Sequence, residues 1–404
     1  MKTGKSQFLN NIYAFFHIYA EEIKAIFRDR GVTILVLLAT TAYPLVYCSF
    51  YKNETLIDVS IAVVDESHSA LSAELIRDFD ATRDVKVAYR STDMASAREL
   101  FNTGKVHGIL HIPADYSKQL NQGRQAHVSA YIDMSTFLYY RAMLLASNYV
   151  IQNTNKEIQI NRLSAMGLSS QETAAVISPV KYQSNIIYNK GMGFSSFLMP
   201  AILILIIHQT LIFAIGMAAG TAREENRHHE FVSAHTHRGK VIRVITGKSM
   251  AYFSLYMALS VYILGIVPRI FNLPHIGNPW VILEMVIPFL LATIFFAMTV
   301  SVTVKSREVQ MVLFLFFSLV LLFISGISWP SSNIHGFWKV FSYLFPSTFG
   351  VQAFVKANSM GATSSEIEFE VIALWIQTAI YLSTAILVYY RQIRKSDHKL
   401  PENQ

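Results

Sequence analysis

Residues 194–220 read FSSFLMPAILILIIHQTLIFAIGMAAG, and this stretch decides the fold. It contains no Asp, Glu, Lys or Arg. About 20 apolar helical residues cross roughly 30 Å of hydrocarbon, so the stretch is long enough to span a bilayer. Working outward, residues 32–50, 249–271, 281–304, 309–329 and 369–390 are also long and apolar, each with at most one charged residue. The sequence therefore predicts a membrane α-helical protein with six transmembrane helices. Composition agrees, with 52% hydrophobic against 15% charged residues and a mean hydropathy of +0.34, which argues against a soluble protein. The run at 32–50 starts too late for a signal peptide, and no small-residue cleavage site follows it. It reads as an anchored span. Cys48 is the only cysteine, so no disulfide forms within the chain, and Tyr47 before it is too bulky for a lipidation box.

Residues 51–190 differ in kind: polar, without a span, and the size of one domain. Alternation predicts strands at 56–64, 85–89, 106–112 and 126–132. Helical patterns fall at 69–79, 92–101 and from Pro113 to Gln119. A long helix follows over 136–166, ended by Gly167. Ser169 with Glu172 forms a capping box for one more short helix, and 180–188 returns strand-like to the membrane. Strands alternating with helices predict an inserted extracytoplasmic α/β domain. Asp65, Glu66, Asp115 and Asp133 follow strands or open helices, where turn and cap roles suit them better than paired-carboxylate chemistry.

The net charge of +7 is unevenly placed. With the N-terminus inside, cytoplasmic segments collect Lys2, Lys5, Lys24, Arg28 and Arg30, then six cations between Arg223 and Lys248, then Lys305 and Arg307, then Arg391, Arg394, Lys395 and Lys399. The short outer loops hold only Arg269, Lys339 and Lys356. This asymmetry puts both termini in the cytoplasm, and Trp280, Trp329 and Trp338 mark the outer interface. The charge orients the chain and calls for no nucleic acid. Before the first span, Phe8, Ile12, Phe15, Phe16, Tyr19, Ile23, Ile26 and Phe27 recur at helical intervals. Glu21, Glu22, Lys24 and Arg28 fall on the other face, as in a helix lying on membrane lipid. The other reading of this helix packs it on a cytoplasmic protein. Outer segments 337–345 and 349–355 suit short helices broken at Pro346.

Thr246-Gly247-Lys248-Ser249 ends like a phosphate loop, but Ile242 stands where its first glycine belongs. No nucleotide site is expected, and Lys248 and Ser249 read as the opening of a span. His228, His229, Glu230, His235 and His237 match no standard metal spacing and read first as a solvated, partner-facing loop, with a transition-metal site as the other reading. His208 lies deep in a span, where an ionisable group is costly. With Gln209 it is the candidate for a transport pathway; its other reading is a neutral imidazole between packed helices.

Several fragments occur in an order shared with one family. Glu21-Glu22-Ile23-Lys24-Ala25-Ile26-Phe27-Arg28-Asp29 is similar to its connecting helix, and Val63-Val64-Asp65-Glu66-Ser67 to the opening of its outer domain. Gly104–Tyr116 resembles its "G-x-V…I-P-x-D-F" run. Arg223-Glu224-Glu225 lies where its coupling motif begins, and Gly247-Lys248 opens the third span. Ser325-Gly326 through Trp329-Pro330, with Phe345-Pro346, resembles its outer hairpin. The chain thus resembles the permease subunits of type-2 ABC transporters, in the exporter-like branch with a large outer domain. After Arg227 the loop departs from the family pattern, being histidine-rich and lacking a proline.

The resemblance implies a connecting helix over 1–31, a first transmembrane helix at 32–50 and an outer domain at 51–190. The rest of the transmembrane domain occupies 191–390, with a coupling loop at 221–248 and an outer hairpin at 330–367; a tail follows at 391–404. It implies coupling to ABC ATPase subunits through Glu21, Glu22, Arg28, Asp29, Arg223, Glu224, Glu225 and Arg227. ATP and magnesium would sit on the partner, with no cofactor on this chain. A second permease copy or paralogue completes the pathway, and a periplasmic adaptor with an outer-membrane channel extends it. The setting is a bacterial inner membrane, and the cargo an amphiphilic or hydrophobic molecule moved outward. The competing reading is a membrane receptor or adaptor with a ligand-binding outer domain.

Overall fold

The computed structural model describes residues 2–51, 56–180, 185–189, 191–225, 239–303 and 306–397. In chain order, α1 (Lys2–Arg28) is followed by α2 (Arg30–Phe50), which contains a π turn at Ile34–Ala39. Next come β1 (Val59–Asp65), α3 (Ala70–Asp80), β2 (Val85–Ser91), α4 (Met94–Asn102) and β3 (Gly108–Ile112). Then come α5 (Tyr116–Asn121), β4 (Ser129–Ile132), α6 (Phe137–Ala165) and α7 (Ser170–Ile177). The long helix α8 covers Phe194–Glu224. After it, α9 covers Gly239–Val261 and continues through a π turn, Tyr262–Ile266, to Ile270. The remaining helices are α10 (Pro279–Ser301), α11 (Arg307–Ile324), α12 (Gly336–Ser342), α13 (Pro346–Phe354) and α14 (Glu368–Asp397). Two compact units result, one of Asn53–Ile186 and one of the segments on either side of it.

In the helical unit, five helices among the described residues are long and apolar enough to cross a membrane: Arg30–Phe50, Phe194–Glu224, Val241–Ile270, Pro279–Ser301 and Glu368–Gln392. The run expected at 309–329 ends earlier. Gly326 adopts φ +87, which closes a helix, leaving α11 with 18 residues, about 27 Å of rise. Burial sorts the spans. Within the chain 78% of the apolar window of α8 is covered and 72% of that of α10, against 28% for α2 and 33% for α14. The core is therefore α8 against α10, and the outer helices keep apolar side chains such as Leu38, Phe50, Ile376 and Ile380 open. The expected break at Pro346 is the first residue of α13, where its missing N–H costs nothing.

The second unit is a four-stranded sheet ordered β2-β1-β3-β4, parallel except for β4. In β1 the run Ile61, Ala62, Val63, Val64 is buried on both faces, as an all-apolar central strand requires. Ile61 and Val63 pack with Leu75, Phe79 and Met143, whereas Ala62 and Val64 pack with Ala97 and Val106. Several expected bounds shift. The first strand starts at Val59, not Leu56, because Asp58 sits at φ 54 and cannot extend a ladder. The helix expected from Pro113 starts at Tyr116. Of the strand-like return at 180–188, residues 181–184 lie outside the described residues and Asn185–Ile187 form no strand. The Ser169–Glu172 box is present, with Ser169 N donating to Glu172 Oε2 at 2.9 Å. Asp65 holds a turn, accepting from the backbone N–H of Ser67 and His68.

Candidate functional site

The inner stripe of α1 docks it on the helical unit at four points. Phe15, Ile18, Tyr19, Glu22 and Ile26 recur at three- and four-residue steps, so they share one face. At the first point α9 offers Gly247: a Cβ there would stand 2.7 Å from Ile18 Cγ2, so only glycine lets the two helices approach this closely. The next residue, Tyr19, has its hydroxyl hydrogen-bonded to that of Ser254 at 3.0 Å, two turns along α9 from Gly247. Glu22 Oε2 then meets Lys248 Nζ at 3.0 Å, with side chains only 9% and 13% exposed. At its end, Asp29 breaks α1 and caps α2. Its Oδ1 accepts from Gly31 N at 2.9 Å and Val32 N at 3.3 Å. Its Oδ2 accepts from Thr221 Oγ1 at 2.7 Å, which ties the junction to the end of α8.

Glu22 is therefore not on the solvated face that periodicity assigned to it. A carboxylate enters an apolar stripe only when an opposite charge and hydrogen bonds offset its desolvation, and Lys248 supplies them. Conversely Phe16 and Phe27 of the apolar set are exposed on the chain. Glu21 lies on the open side and pairs with Lys24 at 3.0 Å, a hydrogen bond that holds its carboxyl below the ordinary value. Arg28 is exposed. Near the end of α8, Arg223 Nη2 donates to the Val302 carbonyl at 2.8 Å, fastening α8 to the end of α10. Glu224 and Glu225 are exposed where α8 ends. Arg227 and the histidine-rich stretch fall outside the described residues. Among the described residues no three His, Cys, Asp or Glu side chains gather as metal ligands would.

His208 and Gln209 point to different neighbours. His208 is fully buried, its ring stacked on Phe289 at 6.3 Å, with neither nitrogen hydrogen-bonded among the described residues. Gln209 Nε2 donates to the Ser318 carbonyl at 3.2 Å. Gln310 repeats this contact two turns on, reaching the Ile212 carbonyl at 3.4 Å across Gly216. Together they stitch α8 to α11.

Lys248, Thr221 and Ser254 carry the docking and were not singled out as functional in the sequence. The adjacent Gly247-Lys248 was the available signal: a small residue beside a cation where a helix from elsewhere must approach. Asp29→Ala should cost about 1 kcal/mol for the lost cap and detach Thr221 as well; a lowered melting temperature with retained membrane insertion would check it.

The chain matches the ABC-2 family transporter protein family over residues 30–387 and belongs to that family. It is thus a multi-pass membrane component of an ABC transport system. No curated protein matches it.

Proposed function

We propose that this chain is the permease half of an ATP-driven exporter, powered by a separate ATPase subunit that acts on α1 and the end of α8. The observation that carries the reading is the four-point docking of α1, which joins one amphipathic helix to α2, α8 and α9 at the end of the bundle richest in cations. A push on α1 or on the residues after Glu224 would reach three spans at once. The charge asymmetry supports cytoplasmic termini in a bacterial inner membrane, with the unit of Asn53–Ile186 outside. With α11 as the sixth span, each chain supplies half a pathway and a second copy or paralogue the rest. On α11 the exposed Val309, Val312, Phe316, Leu319 and Phe323 repeat every three and four residues, the seam of a paired helix. The apolar spans suit an amphiphilic or hydrophobic cargo, and an adaptor would meet the outer unit.

The test is co-purification with a candidate ABC ATPase subunit, followed by transport in proteoliposomes. Glu224→Ala should leave ATP hydrolysis largely intact and abolish transport. If no ATPase binds the chain, the exporter reading falls and the receptor reading gains.

A further inference from the structure

The turn that joins α12 to α13 has its backbone carbonyls served by side chains from elsewhere. Ser342 ends α12, and Tyr343 and Leu344 fall between the two helices, outside either ladder. Each of these consecutive carbonyls receives a side-chain donor. Thr348 Oγ1 donates to Ser342 O at 2.7 Å, Gln377 Nε2 to Tyr343 O at 2.7 Å, and the Tyr381 hydroxyl to Leu344 O. Thr348 belongs to α13, whereas Gln377 and Tyr381 stand one turn apart on α14. All three donors are buried, at 1%, 6% and 8% exposure.

The depth of the turn follows from α14. Its apolar segment Glu368–Gln392 has 25 residues, about 37 Å of rise. Gln377 and Tyr381 lie about 14 and 20 Å along it, so the turn they hold sits near the middle of that length. The return leg gives the same measure. From Pro346 through α13 and a π turn, Val355–Ser359, the chain rises about 15 Å to Lys356. There Lys356 Nζ meets Glu370 Oε1 at 2.6 Å, in the first turn of α14. Glu370 precedes Gln377 and Tyr381 by about 10 and 16 Å of helix, so the two legs agree. At the turn itself Phe345 packs edge-on against Phe296 of α10, with ring centroids 5.8 Å apart.

Carbonyls at such a depth have no water to turn to, and each one left unsatisfied in lipid is costly. A loop lying at the surface would need no donors from the middle of a span. We propose that Gln377 and Tyr381, with Thr348, are positioning residues that latch a re-entrant turn, Ser342–Pro346, at mid-membrane depth. The latched hairpin covers the central helices. At Gly350, α13 passes so close that a Cβ would stand 2.6 Å from Phe289 Cδ2 and 3.4 Å from Ile204 Cγ2. Phe289 in turn stacks on the ring of His208. Release of the latch would uncover this part of α8 and α10 from the side where α14 begins. That role as a lid over a pathway rests on the export reading above; the latch and its depth do not.

The test uses the full-length chain in phospholipid vesicles without any ATPase, so its failure and that of the export reading are distinguishable. Cys48 is the only cysteine. In a Cys48→Ala background a nitroxide is attached at Leu344→Cys, Ile380→Cys or Phe337→Cys, all three positions being exposed on the chain. Electron paramagnetic resonance then reads collisions with oxygen, which concentrates in hydrocarbon, and with a nickel chelate confined to water. The label at 344 should match the label at 380, rich in oxygen and poor in nickel, whereas the label at 337 should meet more nickel. Gln377→Leu and Tyr381→Phe should each raise nickel collisions at 344 about threefold, the shift that one average interhelical hydrogen bond in a membrane supports. The label at 380 should not change. A nickel-rich label at 344 in the otherwise unsubstituted chain would overturn the depth. Unchanged collisions at 344 in both variants, or an equal rise at 380, would overturn the latch. If Gln377→Leu does not fold, Tyr381→Phe, which removes one hydroxyl, decides alone.

Discussion

Glu22→Ala is expected to destabilise the protein by about 3 kcal/mol and to remove ATP-driven transport. The size follows from what the substitution leaves behind. Lys248 is 13% exposed and its ammonium would lose its carboxylate while remaining in place. Removing one partner of a buried charge pair typically costs about 3–5 kcal/mol, far more than the pair itself contributes over an apolar replacement. The double substitution Glu22→Leu with Lys248→Met should therefore recover much of the stability. It should not recover transport to the same degree if the charge pair also transmits force. Thermal unfolding of the four members of this cycle, with transport on the same samples, separates the two effects. Equal stability of Glu22→Ala and the wild type would mean that the carboxylate is not buried as described.

Gly247→Leu is the second large effect. The helices approach at this residue until a Cβ would stand 2.7 Å from Ile18 Cγ2 and 3.0 Å from Ile18 Cβ. A leucine there must push α1 outward or twist a side chain off its rotamer, which typically costs about 1–3 kcal/mol. The displaced helix would also lose Tyr19 and Glu22 from their partners, because both lie within one turn of Ile18 on the same face. Transport should fall steeply while membrane insertion persists. Gly247→Ala should be milder, and Ile18→Ala in the same chain should relieve it by removing the nearest methyl. Additive losses in that double variant would show that the contact is not steric.

Much of the architecture was legible from local pattern. A fully apolar run such as Ile61–Val64 needs cover on both faces, and the structure provides it. Caps are equally local: Ser169 and Glu172 are three residues apart and bond reciprocally. The junction was legible only in part. Asp29 and Thr221 are 192 residues apart, and no periodicity in either helix announces that they meet. Glu22 was assigned to the solvated face because hydropathy treats every carboxylate alike; its partner is set by tertiary packing. The strand start at Val59 depends on the left-handed backbone of Asp58, which its residue type permits without requiring.

The break at Asp29 has a mechanical meaning. Helix α1 has 27 residues, about 40 Å at 1.5 Å per residue, and it ends against α2 at a single capped residue. Asp29 is then a fulcrum and α1 a beam. Ile18, where the beam touches Gly247, lies about 16 Å from that fulcrum. Under the coupling proposed above, a stroke applied near Lys2 would be geared down to about two-fifths of its length at the contact with α9, with its force raised in the same proportion. A long helix with a short inner arm suits a machine that converts a wide, weak movement into a small displacement of tightly packed spans.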